Sequence, residues 1–122
     1  MSSATRLAIE ITREWQRDVT RANRYYKAEF PVHELGEKID IVDLKRKIAY
    51  ELKVSPNNTH MEFYRDVFKV LAHNQAARSG ERLKQLIFLT PEKGAVRLQR
   101  GLGKVACRIS KKFGFSVAVK AI

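Results

Sequence analysis

Apolar positions follow two different periods along the chain. Over residues 4–24 they recur every three or four positions, which predicts an amphipathic helix with the stripe Ala8, Ile11, Trp15, Val19 and Ala22. Residues 26–35 are compatible with a first strand ending at Gly36. Between Lys38 and Val54 the apolar residues alternate singly, which predicts two strands joined by the polar turn Lys45-Arg46-Lys47.

The second half of the chain continues with helix, strand, helix and strand. A helix is predicted over residues 61–78, with the apolar positions Phe63, Val67, Val70 and Leu71. The unbroken apolar run at 85–90 is typical of a strand buried on both faces. A third helix is predicted over about 95–112, with the buried stripe Leu98, Leu102, Val105, Ile109 and Phe113, and a last strand over 115–122. The pattern αβββαβαβ predicts one α/β domain over residues 1–122.

Strand parity brings three polar residues to one face of the predicted hairpin. A hairpin closed at Arg46-Lys47 would give the pairs Leu44–Ala49, Val42–Glu51 and Asp40–Lys53. Asp40, Glu51 and Lys53 then share a face, with the two carboxylates on a diagonal of roughly 7–8 Å. Asp43 has the opposite parity and is expected to point away.

Two carboxylates and a lysine in this arrangement suit metal-dependent cleavage of phosphodiesters. Mg²⁺ prefers oxygen ligands, and Asp40, Glu51 and the main-chain carbonyl of Leu52 could supply three of them. Mn²⁺ is an alternative. Lys53 is placed to orient or deprotonate the attacking water and to stabilise developing charge. The other interpretation of the pattern is an ordinary strand start at Asp40 and a solvated strand face at Glu51 and Lys53.

The segment GEKIDIVDLKRKIAYELK, residues 36–53, resembles the core of the PD-(D/E)XK nuclease superfamily, which includes restriction endonucleases and Holliday junction resolvases. Lys38-Ile39 stands where the family's proline would be. The resemblance implies a restriction endonuclease-like core with the order αβββαβαβ and a mixed central sheet. It also implies that Asp40, Glu51 and Lys53 are catalytic. Some members place a further acidic ligand on the first helix, where Glu14 is the better candidate and Glu10 the other.

Charge supports a polyanionic partner. The chain has 24 Lys and Arg against 13 Asp and Glu, a net charge of +11, which favours nucleic acid over an anionic membrane because no apolar face accompanies the charge. Two basic helix stripes and two loop asparagines are the candidate DNA contacts: Arg13, Arg17, Arg21, Asn57, Asn58, Arg97, Arg100, Lys104, Arg108 and Lys111. Solvated helix faces are the alternative interpretation of the stripes.

Several other chemistries find no support. The three histidines lack zinc-ligand spacing, and no Walker motif or recognisable nucleophile setting is present, so no organic cofactor is expected. The single Cys107 is expected to be buried and inert near the apolar side of the third helix. Nothing resembles a signal peptide or a membrane span, which leads us to expect a cytoplasmic protein.

The sequence therefore predicts a small Mg²⁺-dependent DNA endonuclease of restriction or repair type, and a homodimer, because cutting two strands takes two sites. A junction resolvase is an equally compatible activity. The third possibility is a nucleic-acid-binding module of the same fold whose site is idle.

Overall fold

The computed structural model describes residues 3–55 and 57–122. Three helices and five strands follow the predicted order, with short 3-10 turns at His33–Leu35 and Ser79–Glu81. They are α1 (Ser3–Ala22), β1 (Tyr26–Val32), β2 (Glu37–Asp43), β3 (Ile48–Leu52), α2 (Thr59–Ala76), β4 (Gln85–Thr90), α3 (Glu92–Phe113) and β5 (Ser116–Ala121). The predicted α/β class and element order are confirmed.

One mixed sheet contains all five strands in the order β1-β2-β3-β4-β5. The first three strands are antiparallel neighbours, and β3, β4 and β5 are parallel. Parallel neighbours require crossover connections, and here α2 and α3 provide them. The sheet thus changes from a meander to a βαβ arrangement at β3.

The main core lies between the sheet and the helices α2 and α3. Its fully buried members include Val42, Phe63, Leu86 and Leu98, and the rings of Phe63 and Phe88 meet edge to face at 5.3 Å. In the apolar run of β4, Leu86, Ile87 and Phe88 are buried as predicted and Leu89 is half-buried, because this strand has neighbours on both edges.

Two predicted apolar stripes are only partly buried. On α3, Leu98 and Leu102 are buried, but Val105 and Phe113 are 42% and 49% exposed. A helix of 22 residues is about 33 Å long, whereas a strand of six residues such as β5 spans about 20 Å. The helix is thus longer than its neighbouring strand, and Ile109 is half-buried against the core, so the predicted stripe is only partly covered.

On α1 the predicted stripe is at most half-buried, and Ile11 and Ala22 are exposed. The buried residue of this helix is Gln16. The helix packs mainly beside the edge strand β1, so the sheet covers only part of its apolar face.

The predicted hairpin register is wrong by two residues. Val42 pairs with Ala49, not with Glu51, because the connection is a longer turn over residues 44–47. Asp43 Oδ1 accepts hydrogen bonds from the N–H groups of Lys45 and Arg46, and Lys47 closes the turn with a left-handed backbone, φ 61°. A shift of two preserves parity, so Asp40 and Glu51 still share a face and now lie opposite each other.

Cys107 is exposed, which contradicts the expected burial. It lies five residues after the buried Leu102 and two before the half-buried Ile109. Neither spacing places it on their side of the helix. In the described part of the chain, no helix has the length and apolar character needed to cross a membrane.

Candidate functional site

Asp40 and Glu51 are joined to each other's strands by hydrogen bonds at the end of the β2–β3 ladder. The Asp40 N–H donates to Glu51 Oε1 at 2.7 Å, and the Leu52 N–H donates to Asp40 Oδ2 at 2.9 Å. The last regular pair of this ladder is Ile41 with Tyr50. Beyond that pair, the side-chain carboxylates of Asp40 and Glu51 accept hydrogen bonds from the backbone N–H groups of the opposite strand. These two hydrogen bonds hold the carboxylates side by side.

The main chain of Asp40 is also held by α1. Gln16 Nε2 donates to the Asp40 carbonyl at 2.9 Å and to Glu29 Oε1 at 3.3 Å. Glu29 lies on β1 between Ala28 and Phe30, the partners of Ile41 and Ile39, and has a left-handed backbone, φ 52°. Both main-chain polar groups of Asp40 therefore bond to side chains, which explains how a buried polar backbone is tolerated here.

A buried lysine from α2 completes the cluster. Lys69 is 3% exposed, and its Nζ donates to Glu51 Oε2 at 2.9 Å and to the Lys38 carbonyl at 2.7 Å. Its Nζ also lies 3.1 Å from Asp66 Oδ1. That contact is an ion pair without hydrogen-bond geometry. Asp66 Oδ1 is buried, and it has no hydrogen-bond partner within the described residues.

The cluster contains more negative charge than its single ammonium can balance. Burial raises the pKa of Asp40 from 3.8 to about 6, although the Leu52 N–H opposes the rise. Burial, and then repulsion by Asp40 and Asp66, raises the pKa of Glu51 well above its ordinary value. Burial would lower the pKa of Lys69, but Glu51 and Asp66 together outweigh it and raise that pKa. Such shifts are typical of functional sites.

Lys53 stands apart from this cluster of buried charges. It is half-buried, its N–H donates to the Leu89 carbonyl at 2.8 Å, and its side chain lines the same cleft as Asp40 and Glu51. Leu52 lines the cleft as well. The structure thus brings together all four residues that the sequence analysis assigned to catalysis or metal binding.

These residues form the floor of a cleft of about 770 Å³ between α1 and α2. Asp66 and Lys69 line it from α2, and Thr12 and Gln16 line it from α1. The first-helix acids Glu10 and Glu14 are exposed and are not among its lining residues. The polar residue that α1 contributes to the site is Gln16.

The predicted nucleic-acid contacts divide into three groups. Arg13, Asn57 and Asn58 line the cleft. Arg97 lines a separate pocket of about 130 Å³ near the start of α3. The others are exposed on α1 or along α3: Arg17, Arg21, Arg100, Lys104, Arg108 and Lys111.

Three residues of the site were missed by sequence reasoning: Gln16, Asp66 and Lys69. Asp66 had a usable signal, because it lies three residues after Phe63 and four before Val70, inside the apolar stripe of α2. A charge at such a position needs a partner, and Lys69 follows it at the i+3 spacing. Gln16 gave no comparable signal, because its bond to β2 depends on how α1 packs.

The carboxylates of Asp40 and Glu51 can bind a divalent cation if oxygen atoms of other groups complete its coordination. Each carboxylate has about four lone-pair sites, so Asp40 and Glu51 keep acceptor capacity beyond the hydrogen bonds described above. Among residues 3–55 and 57–122, no group of three or more His, Cys, Asp or Glu side chains is arranged to hold a metal ion. Carbonyl and water oxygens, which Mg²⁺ commonly accepts, would have to complete the coordination.

The chain was compared with family models, curated proteins and solved structures. No family model matches it, and no curated protein or solved structure does.

Proposed function

We propose that this protein is a Mg²⁺-dependent nuclease that hydrolyses DNA phosphodiesters, on a fold of the restriction endonuclease type. The observation that carries the proposal is the pair of carboxylates fixed opposite each other by the Asp40 and Leu52 N–H groups, in a cleft that Lys53 also lines. Burial raises the pKa of both carboxylates, and a nearby cation would favour their charged forms, which supports the proposal.

The residues take distinct roles in this proposal. Asp40, Glu51 and the Leu52 carbonyl would hold Mg²⁺ or Mn²⁺, and the ion would supply positive charge against the charge that develops on the phosphate. Lys53 orients the attacking water. Arg13, Asn57 and Asn58 contact the nucleic-acid backbone at the cleft, and the net charge of +11 supports binding in general.

A homodimer would give the enzyme two sites. The outward face of α2 exposes Met61, Tyr64 and Phe68 by 68%, 53% and 58%, at the i, i+3 and i+7 spacing of one helix face. The charges that α2 leaves near its surface are the ion pair of Glu62 and Arg65, because Asp66 and Lys69 are buried, whereas α3 carries seven basic residues and one acidic. Two copies of a basic chain repel least where the surface is neutral and apolar, so we propose that α2 faces α2 of a second copy.

The second candidate is a DNA-binding module with an idle site. It is favoured by one observation: both oxygens of Glu51 already have protein partners, the Asp40 N–H and Lys69. Cleavage that depends on a divalent cation distinguishes the two candidates.

The test is a cleavage assay on plasmid, linear, single-stranded and four-way-junction DNA, with Mg²⁺ and with a chelator. We expect Mg²⁺-dependent cleavage that is lost in Asp40→Asn, Glu51→Gln and Lys53→Met. Glu34→Gln, an exposed carboxylate outside the cleft, is the control and should cleave at the wild-type rate. Preference for the junction would identify a resolvase. DNA binding with no cleavage under any condition would support the second candidate, a DNA-binding module with an idle site.

A further inference from the structure

Lys69 lies where a cation would be expected between two carboxylates. Three oxygens surround its Nζ within 3.1 Å, from Lys38, Glu51 and Asp66. Nζ donates to the Lys38 carbonyl and to Glu51 Oε2, and it faces Asp66 Oδ1 as an ion pair. Lys69 is 3% exposed, whereas Lys53 is half-buried at the cleft, so the two lysines have different surroundings.

Charge balance limits how many cations the cluster can accept. Asp40, Glu51 and Asp66 carry three negative charges when ionised, and Lys69 carries one positive charge. One divalent cation would bring the total to zero. A second would leave an excess of two positive charges in a buried site, which is costly. Two-metal sites also hold their ions about 3.5–4 Å apart, and the bridging position next to Glu51 is taken by Nζ.

From these contacts we infer that the Lys69 ammonium permanently fills the cation position between Glu51 and Asp66. The centre therefore takes a single divalent cation, on the Asp40 side of Glu51. This inference rests on the metal site of the proposed function. It makes Lys69 a positioning residue, which acts by holding Glu51 and by excluding a second ion.

The test is the stoichiometry of Mn²⁺ binding, measured by calorimetry and by the paramagnetic resonance of free Mn²⁺. Wild type should bind one Mn²⁺ per chain. Lys69→Met removes the charge at similar length, leaves Glu51 and Asp66 without their cation, and should bind two. Lys53→Met is the matched control, a lysine of the same cleft, and should stay at one.

Each outcome of the Mn²⁺ titration either supports the role of Lys69 or contradicts it. Two ions in wild type would overturn the inference, and so would a single ion in Lys69→Met when wild type also binds one. If Lys69→Met is unfolded without metal, refolding by Mn²⁺ but not by the same concentration of K⁺ would support it, and failure to refold with Mn²⁺ would overturn it. If wild type binds no Mn²⁺, the metal site of the proposed function is wrong. In that case one ion in Lys69→Met still supports the role of Lys69, and none overturns it.

Discussion

Asp40 lowers the stability of the metal-free protein at neutral pH. Its pKa is 3.8 in an ordinary setting and about 6 in the fold, so the folded state binds more protons between those values. The free energy of unfolding therefore falls as pH rises from about 4 to 6 and stays reduced above that, by roughly 3 kcal/mol. The cause is burial of a carboxylate beside two others.

We therefore predict that Asp40→Asn stabilises the metal-free protein at pH 7. Asparagine has no charge to bury and keeps an oxygen for the Leu52 N–H. The gain should be roughly 2–3 kcal/mol at pH 7 and should vanish near pH 4, where Asp40 is protonated in the fold. Urea unfolding with a chelator, from pH 4 to 8, measures it. A variant less stable than wild type at pH 7 would contradict the assigned burial cost.

Gln16 gives a second prediction at this scale. Gln16→Ala removes the donor to the Asp40 carbonyl, and loss of such a supporting bond typically reduces metal affinity or activity roughly 10- to 100-fold. Gln99→Ala is the matched control, because Gln99 Nε2 donates to the Val119 carbonyl at 2.7 Å, away from the cleft. Mn²⁺ titration and cleavage rates should change only in the first variant. Equal effects of the two would show that Gln16 acts on the fold alone.

At the scale of elements, the features that follow from hydrophobic periodicity were predicted from the sequence: the strands and the face on which each strand residue lies. The run at 85–90 identified β4 to the residue, and strand parity placed Asp40 and Glu51 on one face despite a register wrong by two. The register depended on a local bond that periodicity does not report, the Asp43 carboxylate on the turn. Lys69 was missed because its burial depends on partners 18 and 31 residues away.

The basic residues of α1 should contribute more to DNA binding than those of α3. Reversing Arg13, Arg17 and Arg21 on α1 should weaken DNA binding more than reversing Arg100, Lys104 and Arg108 on α3, because Arg13 lines the cleft. The salt dependence should flatten by about 0.9 per lost phosphate contact, equally for all sequences. Fluorescence anisotropy over a salt series measures both. A larger loss from the α3 set would place the DNA along α3.

At the scale of the whole molecule, the neutral outer face of α2 predicts self-association. Phe68→Glu puts a charge in the middle of that face and should shift the protein from dimer to monomer in sedimentation experiments, with cleavage of a single strand retained. Val105→Glu, at another exposed apolar position, is the control and should leave the dimer intact. Unchanged sedimentation of Phe68→Glu would exclude α2 as the interface.

The buried cluster is assembled from Gln16, Asp40, Glu51 and Lys69, which are spread over more than fifty residues of chain. A chain is synthesised from its N-terminus, so both carboxylates leave the ribosome before the lysine that balances them. Contacts between such distant residues also form late in folding, because a long loop must close first. A growing chain that ends before α2 thus contains the acidic residues without the geometry that makes them a centre. We therefore expect any cutting activity to begin only once the domain is complete.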